Sequence, residues 1–132
     1  MEKNEKKELI KKIFSEVLGA SSVDTKIIEK YISFDYIQNV DGNTLDYDGF
    51  INHMKKQKEV IKSLDVDFLA IAQDGENVFT NHIVTAVKKD ESIVKVKVIA
   101  QFVIKNNLLV KCDELTQMLS GKEEDKDIGS RH

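Results

Sequence analysis

Between Leu64 and Met118 the chain carries four long runs rich in Val, Ile, Phe and Thr, separated only by Asp74-Gly75-Glu76, Asp90-Glu91-Ser92 and Asn106-Asn107. This pattern constrains the fold more than any other feature. Breaks this short join antiparallel neighbours, so the runs Leu64 to Gln73, Asn77 to Lys89, Ile93 to Lys105 and Leu108 to about Met118 read as a meander. Strands of that length span about 35 to 45 Å at about 3.3 Å per residue, and a sheet so long must twist and curl around whatever covers it. With no proline in the chain, the turns fall to Gly, Asn and Asp.

The cover comes from the N-terminal half. Residues 5 to 18 place Leu9, Ile10, Ile13, Phe14, Val17 and Leu18 on one helical stripe that stops near Gly19. Ser21, Ser22 and Asp24 offer N-caps for a second, shorter helix bearing Ile27, Ile28, Tyr31 and Ile32. Ser33 to Asn43 keeps no helical spacing and ends in Asp41-Gly42-Asn43, which reads as an irregular crossing. A third helix starts near Asp46 or Asp48 and runs to about Ser63, with Phe50, His53, Met54, Gln57, Val60 and Ile61 on its buried stripe. The expectation is an α+β fold: a cone-shaped, curved, antiparallel four-stranded sheet with three N-terminal helices packed on its inner face. It forms a single domain over residues 1–132, ordered from about 5 to 119, with a polar C-terminal tail over 120–132.

Composition narrows the function classes. A formal net charge of -3, with Lys mixed among Glu and Asp, argues against a nucleic-acid surface. No apolar run reaches the length of a membrane span, and the charged first residues lack the apolar core of a secretory signal, so a cytoplasmic protein is expected. Cys112 is the single cysteine, in keeping with a reducing compartment. The acidic run Asp41, Asn43, Asp46, Asp48 lacks the glycine and glutamate of a calcium loop, no histidines have metal-ligand spacing, and no phosphate loop is present. Neither a metal nor another cofactor is expected.

Hairpin register supplies the site. A three-residue Asp90-Glu91-Ser92 loop pairs Val84 with Val98, His82 with Ala100 and Thr80 with Phe102. A two-residue Asn106-Asn107 turn pairs Phe102 with Lys111, Ala100 with Asp113 and Val98 with Leu115. His82, Ala100 and Asp113 then form one inward row across three strands, about 10 Å from end to end, with room for a ligand above the small Ala100. A carboxyl on an apolar face should have a raised pKa and suit acid/base work; the alternative is an Asp-His pair that only satisfies itself. One β-bulge would turn Asp113 outward and bring Glu114 in. At the first hairpin a two-residue turn sets Asp67 opposite His82 and a three-residue turn sets Phe68 there; Phe68 is preferred because Val66, Ala70 and Ala72 then also face inward. Tyr36 could offer a phenol to a developing oxyanion, and His53, Phe50, Met54, Phe68, Ala100 and Phe102 would line the ligand. Cys112 falls on the outer face as a packing residue.

Several stretches resemble the SnoaL-like branch of the nuclear transport factor 2-like superfamily. They are Phe34-Asp35-Tyr36-Ile37-Gln38-Asn39 with Asp41-Gly42, Asp48-Gly49-Phe50-Ile51-Asn52-His53, Asn81-His82, and Asp113-Glu114-Leu115-Thr116 with the tail Asp125 to Arg131. The resemblance implies a cone with a pocket, and an acidic residue on the last strand acting as acid/base in a cyclase; Asp113 stands at the similar place. Asn39 stands where relatives often carry histidine, and Cys112 where the cyclases often carry tryptophan. The implied activity is a cofactor-free cyclase or isomerase acting beside a carbonyl. The alternatives are a binding module for a small apolar ligand and a protein-docking scaffold. Ile83, Ile99 and Val103 on the outer face suggest a homodimer.

Overall fold

The structure, a computed structural model, describes residues 5–121. The tail from Lys122, including the resembling stretch Asp125 to Arg131, lies outside the described residues. Helix α1 (Glu5–Ile13) runs straight into a π-helical turn over Phe14–Leu18, closed by the Gly19 N–H donating to the Phe14 carbonyl at 2.8 Å. Its buried residues are Ile10, Ile13, Phe14 and Val17, the stripe the spacing predicts. Helix α2 (Thr25–Tyr31) is capped by Asp24, whose carboxylate accepts from the Lys26 N–H at 3.0 Å. Helix α3 (Tyr47–Val60) is capped by Asp46, which accepts from the Gly49 N–H at 2.8 Å, and it buries Phe50, Ile51, His53 and Met54.

The sheet has six strands rather than four. Strands β1 (Ile32–Val40) and β2 (Asn43–Asp46) precede α3, and β3 (Ile61–Asp74), β4 (Asn77–Lys88), β5 (Ile93–Lys105) and β6 (Leu108–Ser120) follow it. Their order is β2-β1-β6-β5-β4-β3, antiparallel throughout except that β1 lies parallel to β6. The stretch expected to be an irregular crossing is therefore a strand and half of a hairpin. It hid because its register against β6 is interrupted between Ile32 and Ile37, leaving only Tyr36, Gln38 and Val40 in clean inward alternation, with a polar residue among them. The curved sheet is covered on its inner face by the helices, and Val78, Ala86, Val94, Val96, Val98, Ala100 and Phe102 join the helical stripes in one core.

Two of the three expected registers move. Lys88 donates to the Ser92 carbonyl at 2.8 Å with Glu91 at φ 72°, so the β4–β5 loop closes one residue earlier than expected and the register moves by two; Val84 pairs with Val96, His82 with Val98 and Thr80 with Ala100. A two-residue offset leaves every side chain on its expected face. The Asn106-Asn107 turn forms as expected, both residues having positive φ, but the ladder then slips between Ile104↔Leu109 and Val103↔Lys111. Val110 is the extra residue of a β-bulge, and beyond it every side chain of β6 is inverted relative to the expected register. Phe102 now faces Cys112 and Ala100 faces Glu114, while Asp113 pairs with Gln101 and is exposed. Phe68 does face His82, by a different route: a two-residue turn at Gly75-Glu76 followed by a bulge between Phe68 and Ala70. The same bulge turns Ala70 and Ala72 outward and half-buries Ile71 and Gln73 instead.

One contact fastens β1 and β2 to the end of β6. Asp41 sits at φ 52° in the Asp41-Gly42 turn. Its N–H donates to the Glu114 carbonyl at 3.0 Å, and its carboxylate accepts from the Thr116 N–H at 2.8 Å and from the Thr116 hydroxyl. Asp41→Ala removes both acceptors and leaves a Cβ-bearing residue with no local hydrogen bond in the left-handed region, so it should cost about 2 kcal/mol by urea denaturation. Asp41→Asn tolerates that backbone and keeps one acceptor, and it should cost distinctly less. Equal stability of the two variants would show that the carboxylate clamp does not hold the strands.

Candidate functional site

Between the helices and the sheet lies a cavity of about 90 Å³, room for several water-sized groups. Ile10 and Ile13 close it from α1, Phe14 from the π-helical turn, Phe50, His53 and Gln57 from α3, and Val84, Val96, Val98 and Phe102 from the sheet. Its polar end is built by two neighbouring strands: Tyr36 and Gln38 of β1, and Cys112 and Glu114 of β6. Gln38 pairs with Cys112 and Val40 with Glu114 in the parallel ladder, so all four polar side chains share the inner face. Tyr36 Oη donates to Gln38 Oε1 at 2.9 Å, and Cys112 Sγ donates to Glu114 Oε1 at 3.2 Å.

Electrostatics distinguish these groups. Burial raises the Glu114 carboxyl from 4.5 to about 7; the Cys112 hydrogen bond opposes the rise and the nearby Asp41 and Asp113 add to it. Burial, then the neighbouring Cys112 and Glu114, holds the Tyr36 phenol well above its usual range. Burial and Glu114 do the same for the Cys112 thiol, so both are neutral donors at physiological pH. Glu114 alone of the four stands where both protonation states are populated near neutrality.

His82 lines the cavity but has another role. It is 1% exposed, its Nδ1 lies 2.8 Å from Thr80 Oγ1, and its ring meets Phe14 and Phe68 edge-on or tilted at 5.0 and 5.5 Å. Burial lowers its pKa from 6.5 to about 4, so it is a neutral packing residue at physiological pH. Its row is Phe68, His82, Val98 and Thr116, one step along the sheet from the row of Thr80, Ala100 and Glu114. The expected row of His82, Ala100 and Asp113 does not form.

Of the expected site residues, the cavity brings together Tyr36, His82, His53, Phe50 and Phe102. Met54 and Ala100 are buried in the core and Phe68 packs against it, none of them lining the cavity. Asp113 faces away. The sequence offers Glu114 only as the bulge alternative to Asp113; the same bulge turns Cys112 inward from its expected outer face, while Gln38 lies on a strand that the sequence does not reveal. Among the described residues no cluster of three or more metal-ligating side chains occurs, and no helix is long and apolar enough to cross a membrane.

No family model matches the chain. An uncharacterized protein of Schizosaccharomyces pombe is 33% identical over 109 residues, covering 83% of this chain and 84% of that protein. A structure from Jannaschia sp. CCS1, assigned as a SnoaL-like polyketide cyclase, has a TM-score of 0.70 at 14% identity over 87% of both chains. An LEH-like epoxide hydrolase of M. tuberculosis has a TM-score of 0.69 at 11% identity, over 89% of this chain and 86% of that one. At these identities the two structures report a shared fold.

Because the Glu114 pKa is higher folded than unfolded, its contribution to stability is complete below about 4.5 and is lost as pH rises through about 7. His82 acts oppositely, its protonation destabilising the fold as pH falls from 6.5 towards about 4. The difference between wild type and Glu114→Gln isolates the first effect. Urea unfolding should show the variant gaining up to about 3 kcal/mol relative to wild type between pH 4.5 and 8, and a pH-independent difference would mean that Glu114 is ordinarily solvated.

Proposed function

The chain belongs to one family with the uncharacterized Schizosaccharomyces pombe protein and has the SnoaL-like fold, and from that premise we propose that its cavity takes up a small, mainly apolar molecule bearing a carbonyl, beside which Glu114 moves a proton. The observation that carries this reading is a carboxyl raised to about 7 at the polar end of a mainly apolar cavity. As base, Glu114 would take a proton from the carbon next to the carbonyl. As acid, it would return one elsewhere on the same molecule, the net change of an isomerase or cyclase. Tyr36, kept neutral by its surroundings, would shift its hydrogen bond from Gln38 to the developing oxyanion. Proton transfer of this kind needs no cofactor.

A second reading is a module that holds such a ligand without changing it. It is favoured by the way the polar groups already satisfy one another, Tyr36 with Gln38 and Cys112 with Glu114. Mass spectrometry of molecules co-purifying with the native protein supplies the ligand for a decisive comparison. With that ligand, Glu114→Gln should slow turnover by about 100-fold or more while binding changes little. Unchanged product formation would end the acid/base role, and binding with no turnover in wild type would establish the module.

The protein is further proposed to be a cytoplasmic homodimer joined through the outer sheet face. Ile99, half exposed, and Leu115, 68% exposed, pair directly across β5 and β6, with Ile83 and Val103 half-buried nearby. Sedimentation velocity should find a dimer that Ile99→Lys with Leu115→Lys converts to monomer. A monomeric wild type would dispose of this assembly.

A further inference from the structure

The proposed chemistry assigns Glu114 a proton but leaves Cys112 without a task, although that thiol is 2% exposed and lies against both ends of the polar cluster. Cys112 and Glu114 are two residues apart on β6, so their side chains rise from the same face, and Sγ reaches Oε1 at 3.2 Å. The Tyr36 hydroxyl, across the parallel ladder, gives its own proton to Gln38. A thiol has a single hydrogen. It goes to Glu114, and because a carboxylate accepts more strongly than a protonated carboxyl, the charge on Glu114 sets the strength of that bond.

We propose that Cys112 is the positioning residue of the acid/base site: its S–H engages Glu114 Oε1 when the carboxylate is charged, which turns Oε2 to the ligand, and the bond loosens when Glu114 is protonated. The inference rests on the reading of Glu114 as acid/base, and it adds that the thiol fixes which oxygen works. The thiol takes no part in bond making and stays protonated throughout. The charged groups that act on the carboxyl are Asp41 in the β1–β2 turn and the adjacent Asp113 on the opposite face of β6, both of which disfavour its ionisation. The thiol is the one neighbour described there that favours it.

The test needs no ligand. Carbon-13 NMR of labelled glutamate follows the Glu114 carboxyl through its titration in wild type, Cys112→Ser and Cys112→Ala. Loss of the donor in Cys112→Ala should raise the midpoint by about one pH unit, whereas Cys112→Ser, a stronger donor of similar size, should leave it unchanged or lower. In wild type, the infrared S–H stretching band should move as Glu114 titrates and stay still in Glu114→Gln. One midpoint for all three proteins, or an S–H band indifferent to pH, overturns the assignment. Should Cys112→Ala fail to fold, Cys112→Ser and the infrared band still decide it. Such a negative result leaves the acid/base reading standing, because that reading is tested by turnover in Glu114→Gln; loss of that reading would conversely leave the hydrogen bond observable.

Discussion

The bulge at Val110 is the constraint on which the site depends. Strand side chains alternate with a period of two, so a single inserted residue exchanges the faces of everything beyond it. Before Val110 the hairpin follows the Asn106-Asn107 turn, and after it Cys112 and Glu114 point into the core while Asp113 points to solvent. A slip of this kind is tolerable only if the inverted strand is held. The Asp41 clamp on Glu114 and Thr116 holds it from one side, and the antiparallel ladder with β5 from the other.

That arrangement places a carboxyl where an apolar sheet would otherwise continue. Glu114 sits between Val40 and Ala100 and is half-buried. The energetic consequence is a raised proton affinity, moderated by the thiol beneath it. Tyr36 and Gln38 complete the cluster from β1, the strand that lies parallel to β6 and brings residues distant in sequence within hydrogen-bonding range. The π-turn of α1 contributes differently. By carrying Phe14 against Phe68, His82 and Phe102 it closes the cavity and keeps His82 dry and neutral.

Much of this was legible in the residues. The helical stripes, the caps at Asp24 and Asp46, the stop at Gly19 and the turns at Asp41-Gly42, Gly75 and Asn106-Asn107 all follow from local chemistry, and the structure contains them. So does the inner face of β4 and β5, because an offset of two residues preserves sidedness. Strand β1 was less legible. Its alternation is short, interrupted by the irregularity before Ile37, and includes Gln38, whose burial is intelligible only once its partner Tyr36 is in place.

The sequence by itself determined that long antiparallel strands would curl beneath three helices and enclose an apolar space. Hydrophobic periodicity and turn chemistry are local properties, and each can be read within a dozen residues. Only the tertiary structure decided which acidic residue enters that space. A bulge is a compromise among the strands that flank it, and no single stretch records its position. Asp113 and Glu114 are chemically alike and adjacent, so their composition says nothing about which is buried. The packing of β6 between β1 and β5, with Asp41 fastening its end, makes the choice.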